Sequence, residues 1–428
     1  VRLFMPRRRA ERRGLRLWHV WIVLPLAFVT AIAIAASVFF AGWDLLGARE
    51  LKPEHRIDSK TLFDLVKLSF GVVAGAGALV ALVVAYRRQR VDEDGALRDA
   101  TRLHTERFTT AVSQLGEDSA AVRLGGVHAL AGLADDAPNR ELRQTCIDVL
   151  CAYLRLPYTA EADLPADDAG ARHTYLALRE VRHTVIRLIR DHLRLSHPHP
   201  HSWQGHDFDF TGVTFDGGDF SGITVSDGTL SFVAARFPNG QVDFTRATFS
   251  GGRVDFGGAT FVGGQVDFGE ATFSGGQVDF GGRVGIGRAT FSGGQVDFGG
   301  ATFSGGQVTF GGRTGIGGAK FSGAQVTFEW ATFSGGQVDF GGAEFSDGQV
   351  DFEYATFSDG QVTFSNARFT GGTVTFSGAT FVGGQVTFST SRFTGGTVTF
   401  NGASGTVPDG LPSSGSPLPP GLSLPPTW

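Results

Sequence analysis

Aspartate is the chemically capable residue that this chain sets at regular spacing. Asp243, Asp255, Asp267, Asp279, Asp297, Asp339 and Asp351 each stand between a valine and a phenylalanine, as in "QVDF". Carboxylates stacked in columns repel one another, and a basic partner or a cation would relieve them. The plainer use is a solubilising face, with threonine taking the same place at 309, 327, 363, 375, 387 and 399 for its strand propensity. "GGQVDFGG" lacks the third glycine and the nine-residue period of the calcium-binding "GGxGxDxUx", and "TVT" at 373–375 and 397–399 is too sparse for an ice-binding array. His197, His199, His201 and His206 crowd into "SHPHPHSWQGH", but no cysteine or carboxylate cluster completes a metal site there. Cys146 and Cys151 have neither disulfide-framework numbers nor zinc spacing, so packing within a helix is their expected role. No nucleophile elbow, P-loop or paired-carboxylate arrangement occurs. No catalytic, cofactor-binding or metal-binding residue is therefore expected, and the chain is not read as an enzyme.

The aspartates are positioned by a repeat. Phe210, Phe215, Phe220, Val225 and Leu230 recur every five residues; from Phe237 the rhythm becomes five, two, five, a twelve-residue period. Short fixed periods mark solenoids, in which each unit buries its apolar face only against its neighbours. Phe249, Phe256, Phe261, Phe268, Phe273, Phe280, Phe333, Phe345 and Phe357 are the expected core, with the glycine pairs at corners needing positive φ. Two inserts decide the coil length. "GGRVGIGRAT" and "GGRTGIGGAK" place Arg283 and Arg313 thirty residues apart, one 24-residue coil plus one six-residue insert. A coil of 24, two repeats per turn, stacks the inserts; a coil of 12 hardly has room for its rings. About eight turns of roughly 4.8 Å give a rod of about 40 Å.

The spacing of "FTGVTFDGGDF", and Ala259, Ala271 and Ala301 two residues before a phenylalanine, resemble the pentapeptide-repeat family. The resemblance covers 206–402 and implies a right-handed β-helix; the twelve-residue rhythm departs from the family's usual coil of four fives. With the segments ahead of it, the whole resembles membrane-anchored pentapeptide-repeat proteins of high-GC bacteria.

Composition agrees with a repetitive fold. Sixty-two glycines without a triplet period exclude collagen, and 38 phenylalanines argue against disorder. A net charge of -5 excludes a basic nucleic-acid binder. Residues 20–43 carry no charge, are bracketed by Trp18, Trp21 and Trp43, and are long enough to span a bilayer. A second, Gly- and Ala-rich run at 68–86 could pack against the first. Residues 1–90 are thus read as a hairpin of two transmembrane helices, and Val1 as the product of a non-ATG start codon. Arginines before the first span and after the second put both termini in the cytoplasm of a bacterial plasma membrane, although the loop between carries five basic residues of its own.

Residues 91–196 read as an α-helical domain. Val122, Val127, Leu130 and Leu133 form one stripe, Ile147, Leu150, Cys151 and Leu154 another, and "DDAPN" turns between them as in a HEAT-type pair. A third helix carries Arg179, Arg182, Arg187, Arg190 and Arg194, a face suited to solvent or to anionic lipid. Residues 197–205 read as a His/Pro linker and 403–428 as a disordered Pro/Ser-rich tail.

The fold class expected is therefore mixed: two N-terminal transmembrane helices, a small helical domain and a C-terminal β-solenoid. The leading functional expectation is a non-enzymatic membrane-anchored scaffold whose partners are the lipid bilayer and an unknown protein. One alternative is inhibition of a DNA enzyme such as gyrase by acidic mimicry of DNA, although 18 acids against 9 bases make the rod only mildly negative. Another is a structural spacer in the envelope.

Overall fold

The computed structural model describes residues 25–26, 28–30, 32–33, 36–37, 40–41, 44 and 58–428, except 166, 283–285, 313–316 and 413–414. The chain divides into two compact units, Val1–Ala100 and Thr101–Trp428.

In the first unit, most of the expected span at 20–43 lies outside the described residues. Leu26, Phe28, Val29, Ile32 and Phe40, which are described, are exposed and helical. The second expected span falls within one long helix, α1 (Ser59–Leu115). The boundary placed at residue 90 therefore lies inside continuous helix: "RRQRVDEDGALRDATRLHTERF" has no proline and a single glycine to interrupt the hydrogen-bond ladder. Leu68, Phe70, Val73 and Leu82 are about 70% exposed on α1, and none of its apolar window is covered. Among the described residues, α1 is the one helix long and apolar enough to cross a membrane.

The second unit begins with the last turns of α1, followed by α2 (Ala120–Asp135), α3 (Arg140–Leu154) and α4 (Ala169–Arg194). Gly126 lets α2 approach α1 closely; a Cβ there would lie 2.7 Å from the Leu115 nitrogen. Asn139 starts α3 by accepting from the Leu142 N–H (2.9 Å), and Asp168 does the same for α4 from Ala171. Val127, Leu130, Leu133, Ile147, Leu150, Cys151 and Leu154 are buried; Val122, placed on the same stripe by its spacing, is exposed.

Residues 197–205 are not a plain linker. Trp203 is fully buried, its ring stacked on His192 with centroids 4.0 Å apart, and its Nε1 donates to Asp135 (3.0 Å). The prolines break helix, as they must, but the indole anchors the segment against α4.

From Phe208 the chain winds as a solenoid of short parallel strands. Phe208 pairs with Leu230, a first coil of 22 residues; Val254 then pairs with Val278, a coil of 24. Across the inserts Val266 pairs with Val296 and Val296 with Val326, keeping register with six extra residues each time. Gly282 bridges to Gly312, so the inserts leave from the same point of successive coils; Arg283 and Arg313 themselves lie outside the described residues. No pairing among the described residues fits a coil of four fives. The second glycine of most pairs takes positive φ, as at Gly276 and Gly306 (both 69°).

Four columns of phenylalanine fill the interior. In one, Phe244, Phe268, Phe298, Phe328, Phe352, Phe376 and Phe400 stack at 4.6–4.8 Å, within 6° of parallel. Neighbouring columns meet edge to face, Phe298 lying 83° from Phe280 and Phe310. Offset stacking along a column with edge contacts across it suits the ring quadrupole. Phe249, Phe256, Phe261, Phe273, Phe333, Phe345 and Phe357 also lie in this interior, no more than 2% exposed.

Residues 403–428 are not a disordered tail. Ser404 and Gly405 pair with Thr380 and Phe381, and Leu422 and Ser423 with Val398 and Thr399. The Trp428 ring meets those of Phe381 and Phe400, each at 5.5 Å. The last phenylalanines and the last strand edge would otherwise face water, and the prolines cannot extend the sheet, so the segment closes the end.

Candidate functional site

The solenoid surface is built from the three residues around each inward valine. Before it stands glutamine in most rungs, with Arg253, Thr373 and Thr397 in the others. Gln265 donates to Gln295 (2.6 Å) and Gln295 to Gln325 (2.9 Å); on the other face a ladder runs from Gln277 through Gln307, Gln337 and Gln361 to Gln385. Each amide donates to the next rung and accepts from the previous one, which only an in-register parallel stack allows. The sequence reading passed over these glutamines, although their fixed place before valine was the signal.

After the valine stands aspartate or threonine. Asp243, Asp267, Asp297, Thr327, Asp351, Thr375 and Thr399 form one column. Asp255, Asp279, Thr309, Asp339, Thr363 and Thr387 form the other. These side chains do not simply point outward. Asp297 accepts from the Gly299 N–H (2.6 Å), Asp339 from Gly341 (2.6 Å) and Asp267 from Gly269 (2.7 Å). Asp243, Asp255, Asp279 and Asp351 each do the same two residues on. Threonine substitutes directly: Thr327 accepts from Glu329 and Thr363 from Ser365, each at 3.1 Å. The position is filled by residues that close a turn with their own oxygen, and strand propensity does not account for it. Asp255 and Asp279 are buried, and Arg253 lies 3.4 Å from both. Burial raises the carboxyls of Asp267 and Asp339 above their ordinary range; for Asp267 the neighbouring Asp297 and Asp243 add to it.

Much of the basic side of α4 bonds to the protein. Arg182 is buried, its ring-like guanidinium over Tyr158, and donates to the carbonyls of Leu154 and Thr214, both at 2.7 Å. Arg190 pairs with Asp219, and Arg194 donates to Ser221 (2.6 Å). Asp216 sits in the same seam. Its carboxylate accepts from the hydroxyls of Tyr158 (2.6 Å) and Tyr175 (2.7 Å), with His183 and Arg179 at 3.8 and 4.0 Å. Burial by itself raises this carboxyl, but His183 and the two tyrosines outweigh it and hold it down at about 2. Arg187 is exposed and bonded to Thr184, and Arg194 is exposed as well while it reaches Ser221. The helix faces a surface that lies outside its own sequence, so spacing within α4 could not reveal it.

Of the remaining candidates, Cys146 and Cys151 are buried free thiols, pushed up to about 11 and about 12 chiefly by burial. His206 packs against Gln144 (3.0 Å), and no metal-binding group of histidines, cysteines and carboxylates occurs among the described residues.

Residues 210–260, the coils where five-residue spacing is clearest, match the family described as pentapeptide repeats (9 copies). The parallel β-helix agrees with that match. The chain carries pentapeptide repeats. The matched segment begins directly after the first strand, Phe208–Asp209, and runs into the start of the twelve-residue rhythm. The matched segment already winds with 24 residues per coil, Leu230 pairing with Val254 and Phe237 with Phe261, and the glutamine ladder follows it from Gln265. No curated protein matches the chain.

Proposed function

We propose that this protein is a non-enzymatic, membrane-anchored scaffold that presents its solenoid as a binding surface to a protein partner. The observation that carries the reading is the uncovered apolar stretch of α1 in the same chain as a long, regular rod. An apolar surface of that kind in water is a liability, and a bilayer is the environment that removes it. The solenoid beyond the anchor offers a regular surface of glutamine, aspartate and threonine to a partner. In the fuller form of the reading, the segment before α1 also spans, and both termini lie on the cytoplasmic side of a bacterial plasma membrane.

Protease accessibility of the solenoid in intact and permeabilised cells tests the placement. Cleavage only after permeabilisation is expected; cleavage in intact cells would favour the envelope-spacer reading. Affinity capture from membrane fractions tests the scaffold: specific proteins should be enriched over a control lacking 206–428, and equal recoveries would contradict it. Mimicry of DNA is the weaker reading, because the aspartates expected to replace phosphates have one oxygen committed to a turn and two of them, Asp255 and Asp279, are buried.

A further inference from the structure

One corner of the rod departs from its surroundings. The residue at this corner takes positive φ in coil after coil: Arg246, Glu270, Gly300, Trp330, Tyr354, Gly378 and Gly402. At Trp330 (59°) and Tyr354 (57°) a bulky side chain stands where the rungs on either side of the pair use glycine, Gly300 and Gly378, a strained choice for an L residue. Both rings are outside the core, Trp330 being 61% exposed and Tyr354 44%. They stack on one another at 4.6 Å and 19°, and Tyr354 leans over Gly378, where a Cβ would meet its ring at 2.7 Å. One face of Trp330 is thus taken by Tyr354. The other is turned to the preceding rung, where Gly300 has no side chain and an added Cβ would meet only Glu270, at 3.9 Å. The result is an open step one rung tall, floored by an indole face.

The rim of this step is acidic. Glu329 accepts from the Trp330 Nε1 (3.0 Å), which fixes the ring and leaves the carboxylate beside it. Glu353 stands next to Tyr354, and neither Glu270, Glu329 nor Glu353 has an ion-pair partner among the described residues. A groove over Asp297, Glu329 and Asp351 leads away from the step along the glutamine ladder. Burial, and then the nearby Glu329, push the Asp351 carboxyl up, so negative charge is crowded here.

We propose that this corner binds an arginine of an extended basic peptide segment, its guanidinium laid on the free face of Trp330 and held at its edge by Glu270 and Glu329. A planar cation fits a step one rung tall, stacks on indole better than on any other ring, and forks to carboxylates. Charge selects the occupant: an acidic or neutral strand would leave these carboxylates facing it unpaired. The inference rests on the scaffold reading and names the chemistry of the partner.

The test uses the full chain in detergent and a fluorescein-labelled peptide, Gly-Arg-Gly-Arg-Gly-Arg-Gly, with binding read by anisotropy. Trp330→Gly restores the residue this corner carries at 300, 378 and 402, so it leaves the fold intact, which circular dichroism checks. It is expected to weaken binding about tenfold, the lysine version of the peptide should bind several-fold less tightly, and Glu270→Gln with Glu329→Gln should lower both affinity and its salt dependence. Equal affinity of wild type and Trp330→Gly, no binding of the peptide, or preferential binding of a neutral oligosaccharide at Trp330 would each overturn the site. Membrane proteins still captured by Trp330→Gly would, with any of those results, leave the scaffold reading standing; capture by neither protein would sink that reading as well.

Discussion

Phe298→Ala is expected to destabilise the solenoid by about 3–5 kcal/mol, the cost of truncating a fully buried phenylalanine that cannot be replaced by collapse of its neighbours. Phe298 is 0% exposed, stacked between Phe268 and Phe328 at 4.8 Å on each side and crossed by the edges of Phe280 and Phe310. Those rings belong to backbones locked by parallel pairing above and below, so the cavity stays open. In a stack whose units touch only their neighbours, a fault in mid-column also breaks the coupling between two halves. Urea unfolding followed by circular dichroism at the β signal should show a lower midpoint and a broadened or split transition. Phe393→Ala, near the closed end and only partly buried, should cost distinctly less. Equal costs at the two positions would mean that the columns do not act as a continuous core.

Asp216→Ala is expected to cost a similar amount, about 3–5 kcal/mol, by leaving buried polar groups without their counter-charge. Two tyrosine hydroxyls lose their acceptor, and Arg179 and His183 lose the carboxylate beside them. The damage should be local: hydrogen exchange ought to rise in α4 and the first coil while coils beyond Phe249 stay protected. Tyr175→Phe, which removes one donor and leaves the carboxylate bonded to Tyr158, should cost only about 0.5–1.5 kcal/mol. Asp216 also sets a pH dependence. Its folded carboxyl lies at about 2, below its ordinary value of about 3.9, so its contribution is fully present above about pH 4. That contribution, about 2 kcal/mol, is lost as the pH falls toward 2, and in Asp216→Ala this part of the acid sensitivity should be missing.

How far these features could be read from sequence depends on whether their cause is local. The 24-residue coil was legible because two inserts thirty residues apart constrain register arithmetically, and the paired valines at 266, 296 and 326 carry that register. The turn-closing role of aspartate was in principle legible too: Asp and Thr exchange at one place and Val or Ile never enters it, which strand propensity would have allowed. It was missed because a charged residue beside a strand reads most simply as an outward one. The arginines of α4 were not legible. Arg182 and Arg190 face Thr214 and Asp219, and nothing in a helix's own spacing names a coil that follows it in the chain. Composition misled at the C-terminus, where proline-rich sequence resembles disorder while Trp428 and Leu422 fasten it over the last rings.

The most direct test of the whole account is a disulfide between successive coils. Gln265 and Gln295 are register partners on parallel strands, which places their Cα atoms about 4.8 Å apart, within the range a disulfide spans. With Gln265→Cys and Gln295→Cys in one chain, mild oxidation should link the pair rapidly and completely, the native thiols being buried and out of reach. A control with Gln265→Cys and Gln277→Cys, twelve residues apart, should stay reduced because those positions lie on opposite faces. Rapid linkage at 265 and 277 with none at 265 and 295 would mean a twelve-residue coil and contradict the stacking on which the fold, the ladders and the aromatic corner depend.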